Sequence, residues 1–457
     1  MAKKQDTYNC TECGWTSVRW VGRCGECQAW GTVVERGAPR LRAVASSVPM
    51  QQAVPISQVP TDSAQRKLTT IAELDRVLGD GLVPGAVVLL AGEPGVGKST
   101  LLLDVAAKWA RSGEKTLYIS GEESASQVRL RAERTGAVDD ELYLASETDL
   151  GTVLGHMEQV RPSLLVLDSV QTISAADADG APGGPSQVRE ITAAIARVAK
   201  RENMAAIIVG HVTKDGGIAG PRTLEHLVDV VLTFEGDRHS GFRMVRATKN
   251  RYGPADEVGC FEMSENGIVE VPDPSGLFTT AHNEPVPGTC VTVTLEGRRP
   301  LLAEIQALIA PSPQSSARRT THGLDGSRIA MVLAVLERKV KLPLSALDVY
   351  ASTVGGARVT DPSADLAAAV AIASAALDRH YPKRLLALGE VGLAGDLRRV
   401  PGAERRLAEA GRLGFELAII PTGSRDVTAR VPKLGNLRVV EVPTLADALG
   451  VLDLRRP

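Results

Sequence analysis

The sequence is 457 residues long, carries 52 basic and 54 acidic side chains for a formal net charge of −2, and is 44% hydrophobic. That length exceeds one typical domain, the apolar fraction excludes wholesale disorder, and the balanced charge leaves any nucleic-acid contact to local patches. The opening MAKKQDTYNC lacks the apolar core of a secretion signal, and no run approaches the ~18 apolar residues of a membrane span, so a soluble cytoplasmic protein with no membrane partner is expected.

Residues 1–35 are rich in Cys, Gly and Trp and hold four of the six cysteines, as Cys10-x2-Cys13 and Cys24-x2-Cys27. Each pair aims two thiolates at one point, and two pairs complete the tetrahedral sulfur shell that Zn²⁺ prefers. A redox CxxC would be single and followed by a helix. With Cys10, Cys13, Cys24 and Cys27 filling all four positions, no site is left for a catalytic water, and the metal is expected to be structural. A module of about 30 residues buries too little apolar surface to fold alone, so zinc should supply most of its stability. Trp15, Trp20 and Trp30 stand near Arg19 and Arg23. They suit base stacking beside phosphate-binding charge, or the small core of the ribbon, which is the reading favoured for each ring.

From 36 to 66, Ala, Pro, Ser, Val and Gln dominate without a period, as in a linker. The region 67–275 then changes character. VVLLAG, TLYISG, LLVLD and AAIIVG are short, almost wholly apolar runs separated by helix candidates, the pattern of a parallel sheet covered on both faces. VVLTFEG, FRMVRATKN and CFEMSENGIVEV read as added strands, the last with an Asn-Gly turn.

Gly92-Glu93-Pro94-Gly95-Val96-Gly97-Lys98-Ser99 satisfies GxxxxGK[ST], with a strand before it and a helix after. The glycines let backbone N–H groups turn inward around phosphates, and the helix N-terminus adds further donors from Ser99 and Thr100 onward. Lys98 should reach the β- and γ-phosphates of ATP, and the Ser99 hydroxyl should ligate Mg²⁺. Asp168 ends LLVLD, where a carboxylate holds the same Mg²⁺. Glu122 and Glu123 follow TLYISG. Adjacent residues on an extended chain point opposite ways, so one of them should face the nucleotide and polarise the attacking water; Glu122 is favoured. His211 ends AAIIVGH and reads either as a γ-phosphate sensor or as a hydrogen-bonded structural histidine.

The final zone, 276–457, reads as a second α/β unit. TCVTVTLEG and LLAEIQALI are expected strands, and PSPQSSARRTTHGLDGS a flexible break. Helices follow at Arg328–Val340 and Ala364–Leu377, then a strand at LLALGEVGLAG and a helix after Pro401. ELAIIP and a short terminal helix close the unit. Cys260 and Cys290 read as small buried hydrophobes.

LDRVLGDGLVPGAVVLLAGEPGVGKST, YISGEES and LLVLDSVQT resemble the RecA/KaiC/DnaB superfamily. The four-cysteine ribbon, ATKNRYGPADEVGCFEM and GEVGLAGDLRRVP narrow the resemblance to the bacterial RadA (Sms) family of DNA repair and recombination ATPases, over the whole chain. Lys249-Asn250-Arg251-Tyr252-Gly253 is its most specific mark, although Tyr252 stands where phenylalanine is usual. The resemblance implies a RecA-like P-loop ATPase core between an N-terminal zinc ribbon and a C-terminal Lon protease-like α/β domain. It also implies that Lys249 and Arg251 act on a neighbouring subunit's nucleotide like an arginine finger, in a homo-hexameric ring. The implied work is ATP-driven movement on single-stranded or branched DNA alongside the recombinase, with Lys214 and Arg222 in DNA-contacting loops. On residues alone, KNRYG is also compatible with a solvated basic turn, and that would be the favoured reading without the resemblance.

Against Lon, Ser363 in DPSADLA falls on the nucleophile position, but Glu404 stands where Lon has its lysine and Asp365 replaces a glycine. A carboxylate cannot stand in for a neutral amine, so proteolysis is not expected. The domain reads instead as an oligomerisation scaffold, with Arg398, Arg399, Arg405 and Arg406 available to DNA. The rival readings are a nucleotide-gated platform recruiting DNA or protein, an ATP-dependent protease, and a KaiC-like autokinase.

Overall fold

The computed structural model describes residues 8–35, 54–58, 65–211, 224–236, 241–280, 286–313, 316–381, 384–424 and 434–454. Lys214 and Arg222 lie outside them. The chain divides into two compact units, Met1–Pro60 and Thr61–Pro457.

In the first unit β1 (Tyr8–Cys10) pairs antiparallel with β2 (Thr16–Ser17) and with β3 (Val33–Glu35). Its core is Cys10, Cys24 and Val33, with Tyr8, Trp15 and Val21 packed around them. Trp15 lies so close to Gly25 that a Cβ there would sit 2.8 Å from the ring. Trp20 and Trp30 do not join this core: they are 64% and 74% exposed. The expected three-ring core therefore holds for Trp15 alone, because the thiol cluster fills the centre of so small a module.

The second unit is built on two sheets. Its first helix is α1 (Ala72–Leu78), and the strands of the first sheet are β4 (Val87–Gly92), β5 (Thr116–Ser120), β6 (Leu142–Ser146), β7 (Leu164–Asp168), β8 (Ala205–His211), β9 (Val230–Gly236), β10 (Phe242–Asn250), β11 (Val258–Ser264) and β12 (Gly267–Glu270). Their order is β12-β11-β10-β9-β4-β8-β7-β5-β6. The six strands from β9 to β6 run parallel, and β10, β11 and β12 extend the sheet antiparallel. Strand alternation sorts the side chains onto two faces. Val88, Leu90, Ile207 and Val209 meet α1, α2 (Lys98–Arg111) and α3 (Ala125–Arg134). Val87, Leu89, Ala206 and Ile208 meet α4 (Leu150–Val160) and α5 (Pro185–Glu202). β6, at the sheet's edge, was not picked out as a strand: none of its five residues is fully buried, so it lacks the long apolar run of the inner strands. The β11–β12 turn is centred on Glu265 and Asn266, since Ser264 already pairs with Gly267 at φ 126°.

The second sheet contains β13 (Thr289–Glu296), β14 (Arg299–Pro311), β15 (Arg319–His322), β16 (Leu347–Thr353), β17 (Leu385–Ala387), β20 (Leu417–Pro421) and β21 (Arg438–Val442), in the order β15-β16-β14-β13-β17-β20-β21; β18 (Glu390–Val391) and β19 (Leu397–Arg398) form a separate hairpin. One face packs on α6 (Gly326–Val335), α7 (Asp365–Leu377) and α9 (Leu445–Val451), the other on α8 (Ala403–Arg412). Within α7 every residue from Asp365 to Ser374 is buried, as its nearly continuous apolar run requires. Part of the expected break becomes β15, held parallel to β16. LLALGEVGLAG yields two short strands rather than one, and the helix expected to run to Val340 ends at Val335 in a π-turn over Leu336–Val340. Cys260 and Cys290 are buried, and burial pushes both thiols up to about 12.

The two sheets are tied by a buried ion pair. Arg299 at the head of β14 donates to the Glu73 carboxylate on α1 and to Pro272 O (2.8 Å) and Val258 O (3.1 Å). Glu73 also accepts from Cys260 N at 2.8 Å. Removing one partner strands the other in the interior, so Arg299→Ala should destabilise the unit by about 3–5 kcal/mol in urea unfolding. The double variant Glu73→Gln, Arg299→Met should recover most of that loss. A single-variant cost below about 1 kcal/mol would show the pair to be solvated.

Candidate active site

β4 delivers the chain into the turn 93–97, and α2 begins at Lys98. Gly95 and Gly97 take φ 78° and 112°, which only glycine adopts without strain, and a Cβ on Gly97 would come within 2.9 Å of Met263 Sδ. Arg243 on β10 braces the turn by donating Nε–H to Val96 O at 3.0 Å. Its side chain crosses Gly236, where a Cβ would meet Arg243 Cδ. The sequence held no signal for this brace, because β10 reaches the turn only through sheet pairing.

Lys98 is 4% exposed and donates to Gly92 O and Glu93 O, both at 2.9 Å. Burial lowers its pKa, opposed by the charges of Asp168 and Glu122. Ser99 and Thr100 occupy the first turn of α2, partly exposed. Asp168 ends β7 and accepts from Tyr118 Oη at 2.7 Å. The buried Tyr118 phenol is pushed well up by desolvation and by that carboxylate, so it remains a donor.

Glu122 and Glu123 part company. Glu122 Oε1 accepts from Ser169 Oγ (2.7 Å) and meets His211 Nε2 (2.8 Å), bridging the ends of β5, β7 and β8. Burial raises its pKa, but the bonds from Ser169 and His211 and the Lys98 charge outweigh it and hold the group below the ordinary glutamate value. Glu123 turns away to pair with Arg131 on α3. His211 Nδ1 and Gln171 Oε1 are both buried without a partner among the described residues. Gln171, which the sequence did not single out, places its amide beside Gly210.

Lys249 and Arg251 are not gathered here. Asn250 pairs with Val230 and Val230 with Val88, four residues down β4 from Gly92. At ~3.3 Å per residue this is roughly 13 Å of strand rise, at the opposite end of the sheet. Lys249 Nζ donates to Glu225 O and to Val228 O (2.8 Å); burial and the Arg251 charge lower its pKa. Arg251 Nη1 donates to Asp229 Oδ1 at 3.0 Å. The rest of the motif is structural. Asn250 Nδ2 caps α1 through Leu78 O (3.0 Å), and Gly253 packs against Gly79, where a Cβ would lie 3.1 Å away.

In the ribbon the four thiols lie within 4.8 Å of one another, with Cys10–Cys27 at 3.7 Å and Cys13–Cys24 at 3.5 Å. Zn–S bonds of about 2.3 Å in a tetrahedron place sulfurs about 3.8 Å apart, so the set fits zinc.

Ser363 is fully buried, and its Oγ accepts from Arg406 Nη1 at 2.7 Å. Arg406 is itself only 2% exposed and pairs with Asp361. A guanidinium cannot accept a proton, so Arg406 cannot serve this serine in the role of Lon's neutral amine. Arg406 is thereby removed from the cations offered to DNA, whereas Arg398, Arg399 and Arg405 are exposed. Asp365, in place of glycine, is engaged by Arg328 through both oxygens. Among the described residues no helix is long and apolar enough to cross a membrane.

Three family models match: an AAA domain over residues 53–217, a rubredoxin metal-binding domain over 8–35, and subunit ChlI of Mg-chelatase over 355–424. DNA repair protein RadA of Mycolicibacterium smegmatis is 55% identical over 449 residues, covering 96% of each chain. That of Streptococcus pyogenes serotype M1 is 44% identical over 455 residues, covering 99% of this chain and 100% of its own. A crystal structure of a KaiC-like protein from Pyrococcus horikoshii aligns with TM-score 0.38 and 20% identity, over 46% of this chain and 100% of its own. With relatives so similar from end to end, and a ribbon and P-loop core of the matching kind, the chain belongs to the RadA family of DNA repair proteins.

Proposed function

We propose that the chain is a DNA-stimulated ATP hydrolase of recombinational repair in the cytoplasm, moving or branch-migrating single-stranded or branched intermediates alongside the recombinase. The observation that carries this reading is the division of one catalytic set between two ends of a sheet. Lys98, Asp168, Glu122 and His211 gather at the end bearing the P-loop. Lys249 and Arg251 stand at the other and serve a neighbour's site, so the working form is a ring, by analogy a homo-hexamer.

Backbone N–H groups along Gly92–Ser99, Pro94 excepted, and the Lys98 ammonium hold the phosphates. Ser99 and Asp168 would hold Mg²⁺, which when bound neutralises phosphate charge. Glu122, kept ionised by Ser169 and His211, orients and deprotonates the attacking water. His211, on the same carboxylate oxygen, senses the γ-phosphate. Arg251 and Lys249 stabilise charge developing on the neighbour's γ-phosphate.

Arg251→Ala is expected to lower kcat by about 10³-fold or more while nucleotide affinity holds. Steady-state turnover and equilibrium nucleotide binding decide it, and normal turnover would remove the finger role. Wild-type turnover should rise with single-stranded DNA and lose that stimulation as salt is added. Indifference to DNA would favour the second reading, a nucleotide-gated platform, to which the exposed Trp20 and Trp30 lend support as recruiting side chains.

A further inference from the structure

We propose that Asp229 is the positioning residue for Arg251, fixing the guanidinium in the pose from which it meets the neighbouring subunit's nucleotide. The proposal rests on the trans reading of Arg251 given above.

Asp229 immediately precedes β9 and is 2% exposed. It holds Arg251 at two points: its main-chain O accepts from Arg251 N at 3.2 Å, and its Oδ1 from Arg251 Nη1 at 3.0 Å. It is itself pinned at two points to Val87, the first residue of β4. Asp229 N donates to Val87 O at 2.9 Å, and Val87 N donates to Asp229 Oδ2 at 3.1 Å. β4 ends at the P-loop, so a single rigid strand connects the subunit's own nucleotide turn to the arginine it offers its neighbour.

The pinning to Val87 does not by itself require a charge. An asparagine oxygen would accept from Val87 N equally well and would avoid the cost of burying a carboxylate. What the charge adds lies on the other oxygen, which faces Arg251 and, at 3.8 Å, Lys200 Nζ. Both cations are about half exposed, at 52% and 54%. A guanidinium has five N–H donors in a fixed plane, so a bond from Nη1 to Asp229 sets the plane and leaves other donors to face an anion. Lys249, donating to Val228 O and Glu225 O, is held by the same short segment. Residues 225–229 thus cradle both trans-acting cations.

The test is full-length Asp229→Asn, alone and in the Arg251→Ala background. Loss of orientation should lower kcat by roughly tenfold to a hundredfold, with KM for ATP and equilibrium nucleotide affinity unchanged. In the Arg251→Ala background the substitution should cost nothing further. Wild-type kcat in Asp229→Asn would overturn the proposal, as would an equal fold-loss in both backgrounds, which marks a merely structural role. Normal turnover by Arg251→Ala alone would remove the trans reading, and this proposal with it. A loss in Arg251→Ala with none in Asp229→Asn removes the proposal only. If Asp229→Asn does not fold, Asp229→Glu, which keeps the charge and displaces it, is judged by the same arms.

Discussion

Lys98→Ala protein should fold normally and lose ATP turnover by roughly 10³-fold or more, with or without DNA. The ammonium is buried at the start of α2 and reaches back to Gly92 O and Glu93 O, so it stands inside the curve of the turn that receives the phosphates. Alanine deletes the one side-chain cation of that turn. The turn itself should survive, because its shape comes from Gly95 and Gly97 and from the Arg243 brace on Val96 O. Circular dichroism and thermal melting should therefore match the wild type while turnover vanishes and nucleotide affinity falls. DNA stimulation should vanish with turnover, since nothing is left to stimulate. Turnover near the wild-type rate would mean that the measured hydrolysis occurs elsewhere.

Stripping zinc should unfold the first unit and spare nucleotide binding. The ribbon's buried centre is little more than Cys10, Cys24 and Val33 with Tyr8, Trp15 and Val21 around them. Against that, structural zinc supplies an apparent ~10–16 kcal/mol at neutral pH. Tryptophan emission reports the event well, because three of the four tryptophans lie in the ribbon and the fourth, Trp109, is buried in the ATPase core. A strong chelator should shift the emission as Trp15 leaves Gly25, release one zinc per chain, and leave nucleotide binding by Thr61–Pro457 intact. Cys13→Ser should show the same emission without chelator. Unchanged emission and no released zinc would refute a structural metal.

The depth of these expectations differs with the physics behind them. Cys10, Cys13, Cys24 and Cys27, the turn Gly92–Ser99, and Asp168 at the end of a five-residue apolar strand were legible because their chemistry is local. A knuckle, a phosphate turn or a strand end is complete within a few consecutive residues. Glu122 was separable from Glu123 for the same reason, since alternation along an extended chain is a local rule, and the two side chains do face different partners. The α7 run and the buried Cys260 and Cys290 were legible from hydrophobicity alone.

What the local sequence did not contain is which distant segments meet. The Arg243 brace, the Asp229 clamp on Arg251 and the Glu73–Arg299 tie join residues 147, 22 and 226 positions apart. Arg406 shows the limit most plainly. Beside Arg405 on an amphipathic helix it reads as one more surface cation, yet the helix's rotation turns it inward to Asp361 and Ser363 while Arg405 faces water. Trp20 and Trp30 err in the opposite sense, apolar by composition but excluded from a core too small to hold them. Residue chemistry and short-range spacing determined the kind of site this protein carries. Sheet order, helix rotation and core volume are properties of the assembled fold, and they alone decided which cations are exposed, which are buried, and what holds each in place.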